Sequence, residues 1–219
     1  IRRSQDAKGE SESYRTWLMK NFEPVPPRKY LTDDFSDEAV SFVERNRDWP
    51  FFLFLSYNAP HTPLEATEKY LNRFSDIQDP KRKTYAAMVS AVDDGVGRVL
   101  KEVRRHGLEE KTILCFLSDN GGPTSKNASR NNPLRGDKGD AWEGGFRVPF
   151  AVQWKGRLPE GRVYDKPVSA LDLGGTVVAL SGAEVPKGKP LDGVNLIPYL
   201  TGENKGAPHE AIYLRQFDR

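Results

Sequence analysis

The sequence predicts an α/β fold, a mixed and mostly parallel sheet flanked by helices. Two short runs that are apolar at every position, residues 51–57 and 112–117, predict strands covered on both faces. Between them lies a long amphipathic segment, residues 80–106, that predicts a helix. Both runs are followed at once by polar loops, and in α/β sheets ligands bind in the crevice beyond the carboxyl ends of the strands.

Taken in order, residues 1–34 are polar and proline-rich around Pro24, Pro26 and Pro27, and are read as mostly loop. From Asp34, the residues Phe35, Ala39, Phe42 and Val43 recur at helical spacing, with Thr32 or Asp33 as N-cap and Pro50 beyond the end. Phe51 to Tyr57 then predicts the first buried strand. Tyr85, Met88, Val89, Val92, Val96, Val99, Leu100 and Val103 form one stripe of a helix from about Pro80 to His106, with Gly107 as its stop. Thr112–Leu117 predicts a second strand, Phe150–Trp154 a third, and Ser169–Leu180 a helix ending before Gly182. The closing stretch, AIYLRQFDR, reads as a strand cut off at its edge.

Composition bounds the function. With 219 residues, 37% hydrophobic and 29% charged, the chain fits one soluble globular domain or most of a larger one. Thirty-three basic against 31 acidic residues leave a net charge of +2, which argues against a nucleic-acid footprint. The runs at residues 81–83 and Arg104-Arg105 read as solvated helix faces. The single cysteine, Cys115, excludes an internal disulfide framework and a multi-cysteine zinc site, and is expected to be a small buried thiol in mid-strand. No apolar run approaches the roughly 20 residues of a membrane span, and no basic-then-apolar leader opens the sequence.

The chemistry-bearing residues cluster at strand ends. Ser118-Asp119-Asn120-Gly121-Gly122 sets a carboxylate beside a carboxamide, oxygen donors of the type a hard divalent cation prefers; the same pair also serves in turns that cap their own backbone. His61, between Pro60 and Pro63 after the first apolar run, suits proton donation or an anion contact, or a purely structural hydrogen bond. Lys138 in RGDKGDAWEGG can hold an ammonium against an oxyanion or simply face water. Glu143 and Arg147 read as a pair that sets the loop's path, and His106 and His209 receive no role.

Together these segments resemble the sulfatase family of the alkaline-phosphatase-like superfamily. The resemblance is carried in order by PFFLFLSYNAPHTPL (50–64), YAAMVSAVDDGVGRVL (85–100), TILCFLSDNGG (112–122), LRGDKGDAWEGGFRVPF (134–150) and LDGVNLIPYLTG (191–202), from about Tyr30 to Gly202. It implies an alkaline-phosphatase-like sandwich and sulfate-ester hydrolysis. It matches Asp119 and Asn120 to the second pair of metal ligands, for Ca²⁺ or Mg²⁺, and His61 to a sulfate contact that protonates the departing alcohol. Lys138 matches the lysine that binds the sulfate and its bridging oxygen; Asp93 and Asp94 are expected to support the fold. Asn195 stands where the family often has Asp, with no expected effect on the reaction.

The family's nucleophile is a formylglycine made within a Cys/Ser-x-Pro-x-Arg motif, and that motif occurs nowhere in the 219 residues; the first pair of metal aspartates has no match either. The chain is therefore expected to be the middle and C-terminal part of a sulfatase catalytic domain, with half the active site. The resemblance implies a sulfated small molecule or glycan as substrate, no nucleic-acid partner, and a periplasmic, secreted or lysosomal setting. Two alternatives stand beside it: a phosphodiesterase or phosphonate hydrolase of the same superfamily, and a non-catalytic relative that binds sulfated glycans.

Overall fold

A computed structural model describes residues 18–214. The chain divides into two compact units, one formed by the chain up to Leu108 with Gly122–Asn132, the other by Glu109–Gly121 with the chain from Pro133 onward.

In the first unit, β1 (Leu18–Lys20) and β2 (Glu23–Val25) form an antiparallel hairpin with Leu18 opposite Val25 and Lys20 opposite Glu23. This corrects the reading of residues 1–34 as loop for the part that is described. The turn is made by Asn21 at φ 56°, a left-handed position that asparagine tolerates better than most residues. Helix α1 (Leu31–Asn46) starts three residues earlier than its apolar spacing suggests. Thr32 and Asp34 are buried inside its first turn, and the Asp34 carboxylate accepts from the Arg28 amide at 3.1 Å and from its guanidinium at 2.8 and 2.6 Å. An acid there also favours the positive end of the helix dipole.

Helix α2 (Glu68–Leu71) delivers Tyr70 to the core, where it packs with Ala87 and Ala91 of α3 (Pro80–Arg105). The α3 boundaries match the sequence reading for identifiable reasons. Asp79 accepts the Lys81 amide at 2.9 Å, Pro80 fills a position that needs no donor, and Gly107 takes φ 64° just past the end. Helix α1 packs along α3.

The run 51–57 is not a ladder strand: it is extended, but no strand pairs with it among the described residues. Its burial alternates, with Phe52 70% and Phe54 76% exposed while Phe51, Leu53, Leu55 and Tyr57 are half-buried. Phe51 meets Phe42 of α1 edge-on at 5.7 Å, and the Tyr57 hydroxyl bonds Ser36 at 2.8 Å. The expected covering on both faces is thus corrected to one covered face.

In the second unit, β3 (Leu114–Leu117) pairs with β4 (Phe150–Gln153), Leu117 opposite Phe150 and Leu114 opposite Gln153. The pairing is antiparallel, as is the β1–β2 pair, so the mostly parallel sheet is not seen among the described residues. Parallel pairing needs a crossover, usually through a helix that packs on the sheet. The chain between β3 and β4 carries only four-residue helices, α4 (Thr124–Asn127) and α5 (Glu143–Phe146), and returns antiparallel. Cys115 lies in mid-strand as expected but is exposed rather than buried, and Phe116 is 47% exposed.

Helix α6 (Leu171–Ser181) stops at Gly182 with φ 70°. Its Asp172 is fully buried and accepts the Ser169 amide at 2.7 Å, the Val194 amide at 2.9 Å and the His209 Nε2–H at 2.9 Å. One carboxylate thereby ties the start of α6 to the loop before α7 (Ile197–Thr201) and to the segment at His209. Asn195 accepts the Ile197 amide at 3.1 Å, a structural task that Asp would also perform. Ala211–Leu214 forms no strand, and the rest of the predicted final strand lies outside the described residues.

Candidate functional site

Strand β3 ends at Leu117, and three bonds fix the turn beyond it. The Ser118 amide donates to Pro149 at 3.2 Å, its hydroxyl donates to the Asn120 carbonyl at 3.1 Å, and the Gly121 amide donates to Gly145 at 2.9 Å. The Asn120 side-chain N–H donates to the Gly121 carbonyl at 2.9 Å, which leaves its Oδ1 as the free end of the amide. Beside it the Asp119 carboxylate is exposed, with no hydrogen-bond or ion-pair partner among the described residues. A free carboxylate next to a free amide oxygen is a hard-oxygen donor pair, and its chemistry fits a Ca²⁺-type cation.

The loop that carries Lys138 is a closed knot of backbone bonds. The Gly144 amide donates to Arg135 at 2.7 Å, Gly145 to Trp142 at 2.7 Å, and Asp140 to Asp137 at 2.9 Å. The Asp140 carboxylate returns the last bond, accepting the Asp137 amide at 2.9 Å. The two glycines of α5 permit this crossing: a Cβ on Gly144 would lie 2.7 Å from the Arg135 carbonyl oxygen, and one on Gly145 would lie 2.6 Å from that of Asp137. Lys138 stands exposed on this loop and pairs with no carboxylate among the described residues, although acids flank it. Glu143 and Arg147 do pair, at 3.1 Å, as their spacing suggests.

His61 belongs to the first unit, whereas Asp119, Asn120 and Lys138 belong to the second. Its Nδ1 lies 2.6 Å from the Thr62 carbonyl oxygen, so Nδ1 carries the hydrogen. Nε2 is then the nitrogen that accepts or delivers a proton. The Tyr30 hydroxyl, donating to Glu65 at 2.9 Å, pins the chain just beyond His61.

Asp94 supports the fold as expected: it forms a two-bond pair with Arg73, both at 2.8 Å, which holds its carboxyl below the usual carboxylate value. Asp93 is exposed. Two residues without an assigned role acquire structural ones. His209 binds buried Asp172, and His106 joins Glu102 and Glu44 in a cluster whose ligand atoms lie within 4.8 Å of one another. Arg105 already pairs with both carboxylates, reaching Glu102 at 2.6 Å and Glu44 at 3.1 Å, so the cluster is an ion-pair knot between α1 and α3. Neither the bond to Asp172 nor the tie to Glu44 was visible in sequence, because each joins residues far apart in the chain.

Comparison with known proteins identifies the family. A family model described as Sulfatase matches residues 5–183. An uncharacterized sulfatase of Escherichia coli, YdeN, is 38% identical over 89% of this chain and 35% of its own length. Human arylsulfatase D is 38% identical over 91% of this chain and 35% of its own. Among solved structures, Ps i-CgsB in complex with k-i-k-neocarrahexaose superposes with a TM-score of 0.83 at 44% identity, over 89% of this chain and 43% of that one. The chain thus spans about a third of the length of the curated relatives it matches. With most of its length under the family model, the chain belongs to the sulfatase family.

Proposed function

We propose that this chain contributes one wall of the catalytic site of a sulfuric ester hydrolase that acts on sulfated carbohydrate. What supports the reading is the state of three side chains on one unit. The Asp119 carboxylate, the Asn120 amide oxygen and the Lys138 ammonium are all uncommitted, whereas the Asp140 carboxylate on the Lys138 loop accepts the Asp137 amide and Glu143 pairs with Arg147. The solved complex of the 44%-identical neighbour with a neocarrahexaose supports a carbohydrate as the substrate.

Each residue has a task set by its chemistry. Lys138 places a compact positive charge against sulfate oxygens and against the bridging oxygen, where negative charge builds as the S–O bond breaks. His61, with Nδ1 committed to Thr62, holds its transferable proton at Nε2 and delivers it to the departing alcohol oxygen. Asp119 and Asn120 would hold the divalent cation, Ca²⁺ by the donor chemistry, which when bound offsets sulfate charge and orients the nucleophile. The nucleophile, a formylglycine in this family, has no motif in these 219 residues, and the reading assigns it to the natural polypeptide that carries this chain.

Sulfate release from a sulfated oligosaccharide by the full natural polypeptide tests the proposal. Lys138→Ala is expected to lower kcat/KM by about 100- to 1000-fold. Unchanged turnover in that variant would remove Lys138 from the reaction.

A further inference from the structure

Arg135 differs from Arg147, Arg73 and Arg105 in its partners. Arg147 pairs with Glu143, Arg73 with Asp94 and Arg105 with Glu102, whereas the Arg135 guanidinium has no carboxylate or carbonyl partner among the described residues. It lies instead over the ring of Trp142, its Cζ 4.0 Å from the centroid. Both side chains are exposed, Trp142 by 52%.

The pair is held from below. The carbonyls of Arg135 and Trp142 each accept an α5 glycine amide at 2.7 Å. Between them Gly136 takes φ 101°, and a Cβ there would lie 2.6 Å from the Trp142 Cβ, so the backbone turn that stacks the two side chains requires glycine. A guanidinium stacked on an indole keeps its N–H edge open while the aromatic face restrains its rotamers. An open, restrained N–H fork is a receptor for two oxygens of one oxyanion.

We propose that Arg135, positioned by Trp142, is a specificity-determining contact for a second sulfate, carried on the sugar adjacent to the one that is cleaved. The inference rests on the sulfatase reading of Lys138, which lies on the same hydrogen-bonded loop. Lys138 takes the sulfate that leaves; Arg135 takes one that stays. The uncovered part of the Trp142 ring offers the apolar face of that neighbouring sugar a surface to lie on. The enzyme would then select glycans sulfated on successive sugars over those sulfated once.

The test uses the full natural polypeptide and two oligosaccharides of equal length, one sulfated on the cleaved sugar only, the other also on its neighbour, with turnover and calorimetric binding both read. The wild type is expected to favour the doubly sulfated chain by about tenfold. Arg135→Gln is expected to erase that preference while keeping kcat/KM on the singly sulfated chain within about twofold. Trp142→Ala should erase it too, and Arg135→Lys should retain only part of it, because lysine keeps the charge and loses the fork. A melting temperature matched to wild type shows that a variant is folded, and Arg135→Lys serves if Arg135→Gln is not. Equal use of both chains by the wild type, or an equal loss on both in Arg135→Gln, overturns this inference and leaves the Lys138 assignment standing. Arg135-dependent inhibition by sodium sulfate alone, with no preference between the sugars, makes the site a general anion contact and also overturns it. Neither turnover nor binding of either chain overturns the sulfatase reading and this inference with it.

Discussion

The amide of Gly121 donates to the carbonyl of Gly145 at 2.9 Å, and this bond joins the end of β3 to the loop that presents Lys138. The approach is so close that a Cβ on Gly121 would overlap the Gly144 carbonyl oxygen. Glycine here sets the position of Asp119 and Asn120, which precede it. Gly121→Ala is therefore expected to cost roughly 3 kcal/mol by overpacking against backbone that has no room to yield. Gly97→Ala is the control: in α3 a Cβ at Gly97 meets nothing within 4 Å, and the change should stabilise by about 0.5–1 kcal/mol. Denaturant midpoints of the two variants check both signs.

Tyr70 makes a pH prediction. Its ring is fully buried, its hydroxyl donates to Asp33 at 2.6 Å, and Lys69 donates to it at 2.8 Å. Burial first, and then the bond to Asp33 and its charge, push the phenol far above its ordinary value. The folded state holds this proton more tightly than the unfolded state does. Its stabilising contribution is complete below the unfolded value, about pH 10, and is lost as pH rises beyond that toward the folded value. Unfolding free energy should fall above about pH 10, less steeply in Tyr70→Phe, and the substitution should cost about 1–3 kcal/mol at neutral pH. Equal alkaline slopes in the two proteins would contradict this assignment.

Helix α3 was readable because everything that defines it is local: a stripe at helical spacing, Asp79 and Pro80 at its start, Gly107 at its stop. The run 51–57 shows the opposite case. Seven successive apolar or small residues specify extended, half-buried backbone, but a ladder is a property of two segments, and no pairing partner is encoded in the run itself. The sense of the β3–β4 pair was lost for a related reason. The order strand, loop, strand fits either sense until the loop is known to lack a crossover helix of adequate length. At the site, residue type and motif order nominate Asp119, Asn120, His61 and Lys138 as candidates. Partnerships between residues apart in the chain, such as His209 with Asp172 and Arg135 with Trp142, depend on loop paths that only coordinates supply.

Calcium affinity is predicted to be weak in a protein of these 219 residues. A Ca²⁺ ion takes six to eight oxygens, and Asp119 with Asn120 supplies a minority of them. Stabilisation by a ligand follows its concentration relative to Kd, so micromolar Ca²⁺ should leave the melting temperature unchanged and millimolar Ca²⁺ should raise it. Asp119→Asn should abolish the millimolar response. A rise already present at micromolar Ca²⁺ would mean that other residues of this chain complete the ion's shell.

The role assigned to His61 is separable from that of Lys138 by the leaving group. General-acid help matters in proportion to how badly the departing oxygen needs a proton, and a sugar alkoxide needs one far more than a nitrophenolate does. Lys138 acts on charge shared by both kinds of ester and should be required by both. In the full natural polypeptide, His61→Gln is expected to slow sulfate release from a sugar sulfate by about 100-fold or more, and release from nitrophenyl sulfate by far less. Equal losses on both esters would assign His61 to sulfate binding alone and leave the proton donor to another residue.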